Sequence, residues 1–202
     1  AYAVIDEVHC LSEWGHDFRT AYLNLANTIQ KLCNNFNFIG LTATASINVI
    51  KDIQIEFGIK QENVKTLIDY TRKELEFIVI DDGNSKETEL NQQLTLLNDR
   101  IGIFEQRNTE TKCGIIFTPT VNGKQGCYPL SVKLSNEFKE DIRYFSGKIP
   151  IINKQPIMTI QEYDELKKKT QTDFKLNKFT LLAATKAFGM GINKGNIYYT
   201  IH

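Results

Sequence analysis

A charge excess is missing from this 202-residue chain: 24 Lys+Arg stand against 24 Asp+Glu. Net charge therefore gives no sign of a nucleic-acid partner, and any basic groove has to be local. Paired cysteines are missing too. Cys10, Cys33, Cys113 and Cys127 form no CxxC and no zinc-ribbon spacing, so the expectation is free, buried thiols in a reducing compartment. No apolar run approaches the ~18 residues of a membrane span. The start AYAVIDE lacks the basic n-region of a secretory signal. The expectation is a cytoplasmic, intracellular protein with no membrane partner. A phosphate-binding loop is also missing, because no G-x-x-x-x-G-K-[ST] occurs anywhere. Gly123-Lys124 is followed by Gln125 and Gly147-Lys148 by Ile149. What remains is ordinary globular material, 42% hydrophobic and 24% charged, which is enough apolar substance for a core without metals or disulfides.

The apolar pattern reads as alternating strands and helices. Tyr2 to Ile5 predict a buried strand, Tyr22 to Leu32 a helix, and Phe36 to Leu41 a second strand. Ser46 can cap a helix that Gly58 stops. The period is lost from Thr66 to Lys73, which predicts a linker. Beyond it Leu75 to Ile80 predict a strand, Asp81 to Asn84 a turn, and Leu90 to Phe104 a helix. Further strands are predicted at Gly114–Phe117, Ile142–Phe145, Phe179–Ala184 and Ile197–Ile201, with helices at Tyr128–Phe138 and Ile160–Leu176. Lys148 to Thr159 fit neither period and predict a loop insertion. Lys167-Lys168-Lys169 predict a solvated helix face. This order is that of two α/β units in tandem, each with a parallel sheet.

Chemistry concentrates where the first strand ends. An apolar strand running into Asp6-Glu7 has the form of a Walker B site, because the carboxyl end of a parallel strand faces the ligand crevice. Asp6 can hold Mg²⁺ through water against a triphosphate, and Glu7 can polarise a water for attack on the terminal phosphate. The plainer reading is a solvated turn. Trp14, His16, Phe18 and Arg19 follow at once. Bases of single-stranded DNA stack on aromatic faces for ~1–3 kcal/mol each, and Arg19 can pair with phosphate; the alternative is that Trp14 and Phe18 are core. In the later Gly-rich turn, Gly189 and Gly191 permit close backbone approach, so that Thr185, Asn193 and Lys194 can reach nucleotide or DNA phosphate.

The string DEVHC-x-S-x-WGHDFR, Asp6 to Arg19, resembles motif II and the aromatic-rich loop of RecQ-family DNA helicases, which typically read DEAHC here. Leu41-Thr42-Ala43-Thr44-Ala45 looks like motif III, Gly114-Ile115-Ile116-Phe117 like motif IV, and Ala184 to Lys194 like motif V. The motifs occur in the family's order and span nearly the whole chain. Val8 in place of Ala, Glu13 in place of Gln, Gly195 in place of Pro, the string TPTVNGKQGCYPL and the Lys148 insertion mark a divergent branch.

The resemblance implies an ATP- and Mg²⁺-dependent DNA motor of DNA repair and recombination. It would act on single-stranded and duplex DNA with 3′-to-5′ polarity. His9 would couple the nucleotide and DNA sites, and Thr42 and Thr44 would couple the lobes. The implied fold is two tandem RecA-like parallel-sheet lobes. Residues 1–68 would be the back half of the first, incomplete lobe, and residues 69–202 the second lobe without motif VI. With the P-loop lysine and the motif VI arginines both absent, the expectation is an internal segment of a longer helicase, itself inactive. Two other classes compete. A non-catalytic DNA-binding scaffold derived from a motor is opposed by the intact Asp6-Glu7 pair. A metal hydrolase built from Asp6, His9, His16 and Asp17 matches no zinc spacing.

Overall fold

The structure is a computed structural model. It describes residues 2–12, 24–33, 36–43, 45–66, 72–81, 83, 85–106, 110–189 and 193–202. The chain divides into two compact units between Ile78 and Val79.

In the first unit, β1 (Tyr2–Ile5) pairs in parallel with β2 (Asn37–Gly40), Tyr2 opposite Asn37 and Ile5 opposite Gly40. A 3-10 turn (Val8–Leu11), α1 (Leu25–Leu32) and α2 (Ile47–Phe57) complete it, with a short turn at Gln61–Asn63. The ends of α2 follow its caps. The Ser46 hydroxyl accepts from the Val49 amide, and Gly58, at φ 62°, ends the helix in the left-handed conformation. Val8, Leu11, Val49 and Ile53 form the buried core, and Phe38 stacks on Phe57 with centroids 3.9 Å apart.

The second unit is built on a four-stranded parallel sheet in the order β4-β7-β3-β8: β3 (Cys113–Phe117), β4 (Ile142–Phe145), β7 (Leu181–Ala184) and β8 (Ile197–Ile201). On one face, Ile116, Leu181 and Ile142 meet Leu94 of α3 (Lys86–Ile101) and Leu134 of α4 (Cys127–Phe138). On the other, Cys113, Ile115, Leu182 and Ala184 meet Phe174 of α5 (Ile160–Lys175), with Phe179 and Phe188. Helices on both faces explain why β3 and β7 are continuous apolar runs and do not alternate. Phe174, Phe179 and Phe188 are essentially fully buried, and truncating such a ring costs about 3–5 kcal/mol.

Several sequence expectations change. Leu75 to Ile80 are not a strand: they pair with no sheet among the described residues and are exposed, Val79 to 97%. An apolar run becomes a strand only when a neighbour takes its hydrogen bonds. The helix expected at Leu90–Phe104 begins earlier and ends sooner. Ser85 caps it through the Thr88 amide, and Gly102, at φ 65°, stops it. The Lys148–Thr159 insertion is not a plain loop. It carries a hairpin, β5 (Ile151–Ile152) against β6 (Gln155–Pro156). All four cysteines are free, yet only Cys113 and Cys127 are buried; Cys33 is exposed and Cys10 intermediate. The lysine run lies as expected, with Lys168 and Lys169 exposed and Lys167 paired to Asp164 at 2.7 Å. Among the described residues no helix is long and apolar enough to cross a membrane.

Candidate functional site

The first cluster sits where β1 and β2 end. Ile5 and Leu41 are joined backbone to backbone, as are Val8 and Leu41, so the turns after the two strands are held side by side. Between those tethers the chain turns sharply. Glu7 adopts φ 52°, ψ 44°, a left-handed conformation that costs a side-chain-bearing residue roughly 1–2 kcal/mol. The Asp6 carboxylate accepts the Glu7 amide at 3.0 Å, which stabilises that turn and leaves Asp6 exposed at the strand end. The turn aims the two carboxylates differently. Strain of this kind at a strand end is an observation from which function can be inferred.

His9 ties the cluster together. Its Nδ1 lies 2.8 Å from the Thr42 hydroxyl and 3.2 Å from Glu7 Oε2. The tautomer with hydrogen on Nδ1 suits the carboxylate acceptor. The His9 side chain is 15% exposed and that of Glu7 59%. A largely sheltered imidazole thus lies between an open carboxylate and a threonine 33 residues away. Glu7, His9 and Thr42 are brought together, with Asp6 bonded to the Glu7 amide beside them. Hard carboxylate oxygens on an exposed strand end fit a hydrated Mg²⁺, which Asp6 would hold. Among the described residues no group of three or more His, Cys, Asp or Glu converges as a metal site. Trp14, His16, Asp17, Phe18, Arg19, Thr44 and Gly191 lie outside the described residues.

The second unit separates residues that the sequence grouped. Thr185 follows β7 at the carboxyl edge of the sheet, nine-tenths buried, with its amide bonded to the Phe145 carbonyl. Lys194 lies at the opposite, amino edge, because the segment before β8 pairs with the start of β3 through Cys113 N to Asn196 O. Its ammonium donates to Asn177 at 2.5 Å and sits 4.9 Å from the Phe174 ring centroid. Asn193 is exposed beside it. Gly189 has φ −71°, and among the described residues a Cβ built on it would meet the Lys186 carbonyl at 3.5 Å. Its backbone is one any residue adopts. Lys186, exposed at the carboxyl edge beside Thr185, was not singled out from the sequence. Its only sequence signal is its place directly after a buried strand.

Parallel sheets flanked by helices define the class first: the fold is RecA-like α/β. A solved structure of S. cerevisiae Dbp5, bound to RNA and ADP BeF3, matches 99% of the chain and 43% of its own length, with TM-score 0.62 and 18% identity. In sequence the chain is, more particularly, similar to RecQ-type helicases. It is 29% identical over 198 residues to the ATP-dependent DNA helicase RecQ of Bacillus subtilis (strain 168), covering 98% of this chain and 28% of that protein. It is 30% identical over 200 residues to the ATP-dependent helicase wrn-1 of Caenorhabditis elegans, covering 98% of this chain and 16% of that one. The chain therefore spans well under a third of these relatives' length. No family model matches it.

Proposed function

We propose that this chain is the central part of an ATP-dependent DNA helicase, the back of one RecA-like lobe and most of the next. One observation carries the reading: Asp6, Glu7, His9 and Thr42 converge at the ends of two parallel strands, with Glu7 in a strained turn. Bound Mg-ATP supplies the phosphoanhydride whose cleavage drives movement. Asp6 would hold Mg²⁺, which would neutralise charge on the phosphates, and Glu7 would orient the attacking water and take its proton. His9 steers Glu7 and, through Thr42, links it to the turn after β2. The partners are ATP and DNA, single-stranded and duplex, with 3′-to-5′ polarity. These 202 residues have no G-x-x-x-x-G-K-[ST] to cradle the phosphates; alone they hydrolyse ATP negligibly.

The test is Glu7→Gln in the intact protein, by single-turnover hydrolysis beside nucleotide affinity. Loss of a positioned base should slow hydrolysis by ~10²-fold or more while Mg-nucleotide binding persists through Asp6. Equal rates remove Glu7 from the mechanism. An intact protein that binds DNA and hydrolyses nothing is a scaffold. The aromatic loop has its own test, since Trp14→Ala should lower DNA-stimulated ATPase far more than basal ATPase. Equal losses make Trp14 core.

A further inference from the structure

We propose that a cavity along the free edge of β4 binds a neutral, flat heteroaromatic ring bearing an amino group. The ring is read by the outward backbone groups of Tyr144 and by the hydroxyl of Thr170. The site belongs to the second unit alone and is independent of the motor reading.

β4 is an outer strand of its sheet. The Thr185 amide donates to the Phe145 carbonyl at 3.0 Å. Phe145 and Arg143 therefore turn their backbone groups towards β7, and Ile142 and Tyr144 turn theirs outward. The outward pair at Ile142 is closed by α4. The Ser135 hydroxyl accepts the Ile142 amide at 3.1 Å and donates to the Ile142 carbonyl at 2.9 Å. The outward N–H and C=O of Tyr144 have no partner among the described residues. The edge thus offers one donor and one acceptor side by side, where an open strand edge is a template for a hydrogen-bonding partner.

Tyr144 lines a cavity of about 330 Å³, walled by Tyr128 and Val132 of α4 and by Leu166 and Thr170 of α5. That is the low end of the size of small-molecule sites. Thr170 is 2% exposed, and its hydroxyl has no partner among the described residues. The oxygens both sealed and unpartnered among those residues are the hydroxyls of Tyr144 and Tyr199. The Thr170 hydroxyl is therefore not sealed, and it opens on the cavity that it lines. A buried hydroxyl left unbonded costs its desolvation, and a ligand atom recovers it. The Tyr144 ring is fixed edge-on against Tyr128, with centroids 5.1 Å apart, so the opening is preformed.

Charge and shape select the ligand. Arg143, the charged side chain in the lining, is already engaged. Its Nε and Nη2 donate to Asp141 at 3.0 and 2.7 Å, and its Nη1 donates to Asp173 at 2.7 Å. A phosphate or carboxylate finds no free cation in this lining, so the ligand is neutral. The backbone groups of an edge strand point along the plane of the sheet. A ligand that meets both groups of Tyr144 continues that plane between two helices, which a flat ring does. A ring nitrogen accepts the Tyr144 amide, and the amino group beside it donates to the Tyr144 carbonyl.

The experiment titrates 4-aminoquinazoline into the intact protein and follows binding by saturation-transfer NMR, with quinazoline as the analogue that lacks the amino donor. 4-Aminoquinazoline should bind below about 1 mM, and quinazoline ~2–10-fold more weakly, the worth of one hydrogen bond. Val132→Trp, at a position of α4 that is 47% exposed, should fill the cavity and abolish binding with the fold kept. Thr170→Val should weaken binding ~2–10-fold and leave the thermal midpoint unchanged or raised, because it removes an unbonded hydroxyl and keeps the shape. Binding that survives Val132→Trp lies elsewhere and overturns the proposal. Equal affinity for the two ring compounds overturns the donor–acceptor reading, and no saturable binding by the unaltered protein overturns the site itself.

Discussion

Gly114→Ala should be among the most damaging single-methyl changes in this protein. Gly114 lies in β3, and a Cβ built on it falls 2.0 Å from Cζ of Tyr199 and 2.3 and 2.5 Å from the two Cε atoms. The end of that ring covers the glycine. Tyr199 cannot swing clear easily, because it packs within the cluster of Leu94, Ile116, Leu134 and Leu181. Overpacking of this kind costs typically 1–3 kcal/mol. The second unit has roughly 120 residues, and at ~2.1 cal/mol/K per residue its unfolding entropy is about 0.25 kcal/mol/K. The midpoint should therefore fall by about 4–12 °C. Thermal unfolding followed by circular dichroism reads the shift, and a double-mutant cycle with Tyr199→Ala assigns it. Once the ring is gone, the added methyl has space, so Gly114→Ala should cost much less in the Tyr199→Ala background. Equal costs in both backgrounds would refute the ring contact as the reason for glycine in this motif.

Tyr199→Phe should be neutral or stabilising in the same assay. Its hydroxyl is buried without a hydrogen-bond partner among the described residues, burial pushes its pKa well up, and an unpartnered polar group costs its desolvation. Asp173 accepts Lys178 at 2.8 Å and Arg143 at 2.7 Å, and these cations lower its pKa from the ordinary 3.8 to about 2. A depressed carboxylate stabilises the fold above its unfolded value, so this contribution should be intact at neutral pH and fade as pH falls from about 4 towards 2. Asp173→Asn should destabilise at pH 7 and flatten that acid limb; an unchanged limb in urea titrations at several pH values removes Asp173 from it.

Local interactions made part of the protein readable from its residues. Ser46 and Gly58 bound α2 because a cap needs only an adjacent amide and a positive φ. Asp6 and Glu7 were readable as strand-end carboxylates because a short, apolar, β-rich run precedes them, although that strand, expected to be buried, leaves Tyr2 and Val4 exposed. The RecQ-like motifs were likewise readable in order along the chain. Tertiary structure decided the rest. It put Thr42 on His9 across 33 residues, through a pairing of β1 with β2 that neither strand encodes alone. It left Leu75 to Ile80 outside every sheet of the described residues, although their composition suits one. It split Thr185 from Lys194, because a parallel strand must be entered at one edge and left at the other. Sequence proximity measures distance along the chain, and the hydrogen-bond register of a sheet is what turns it into distance in space.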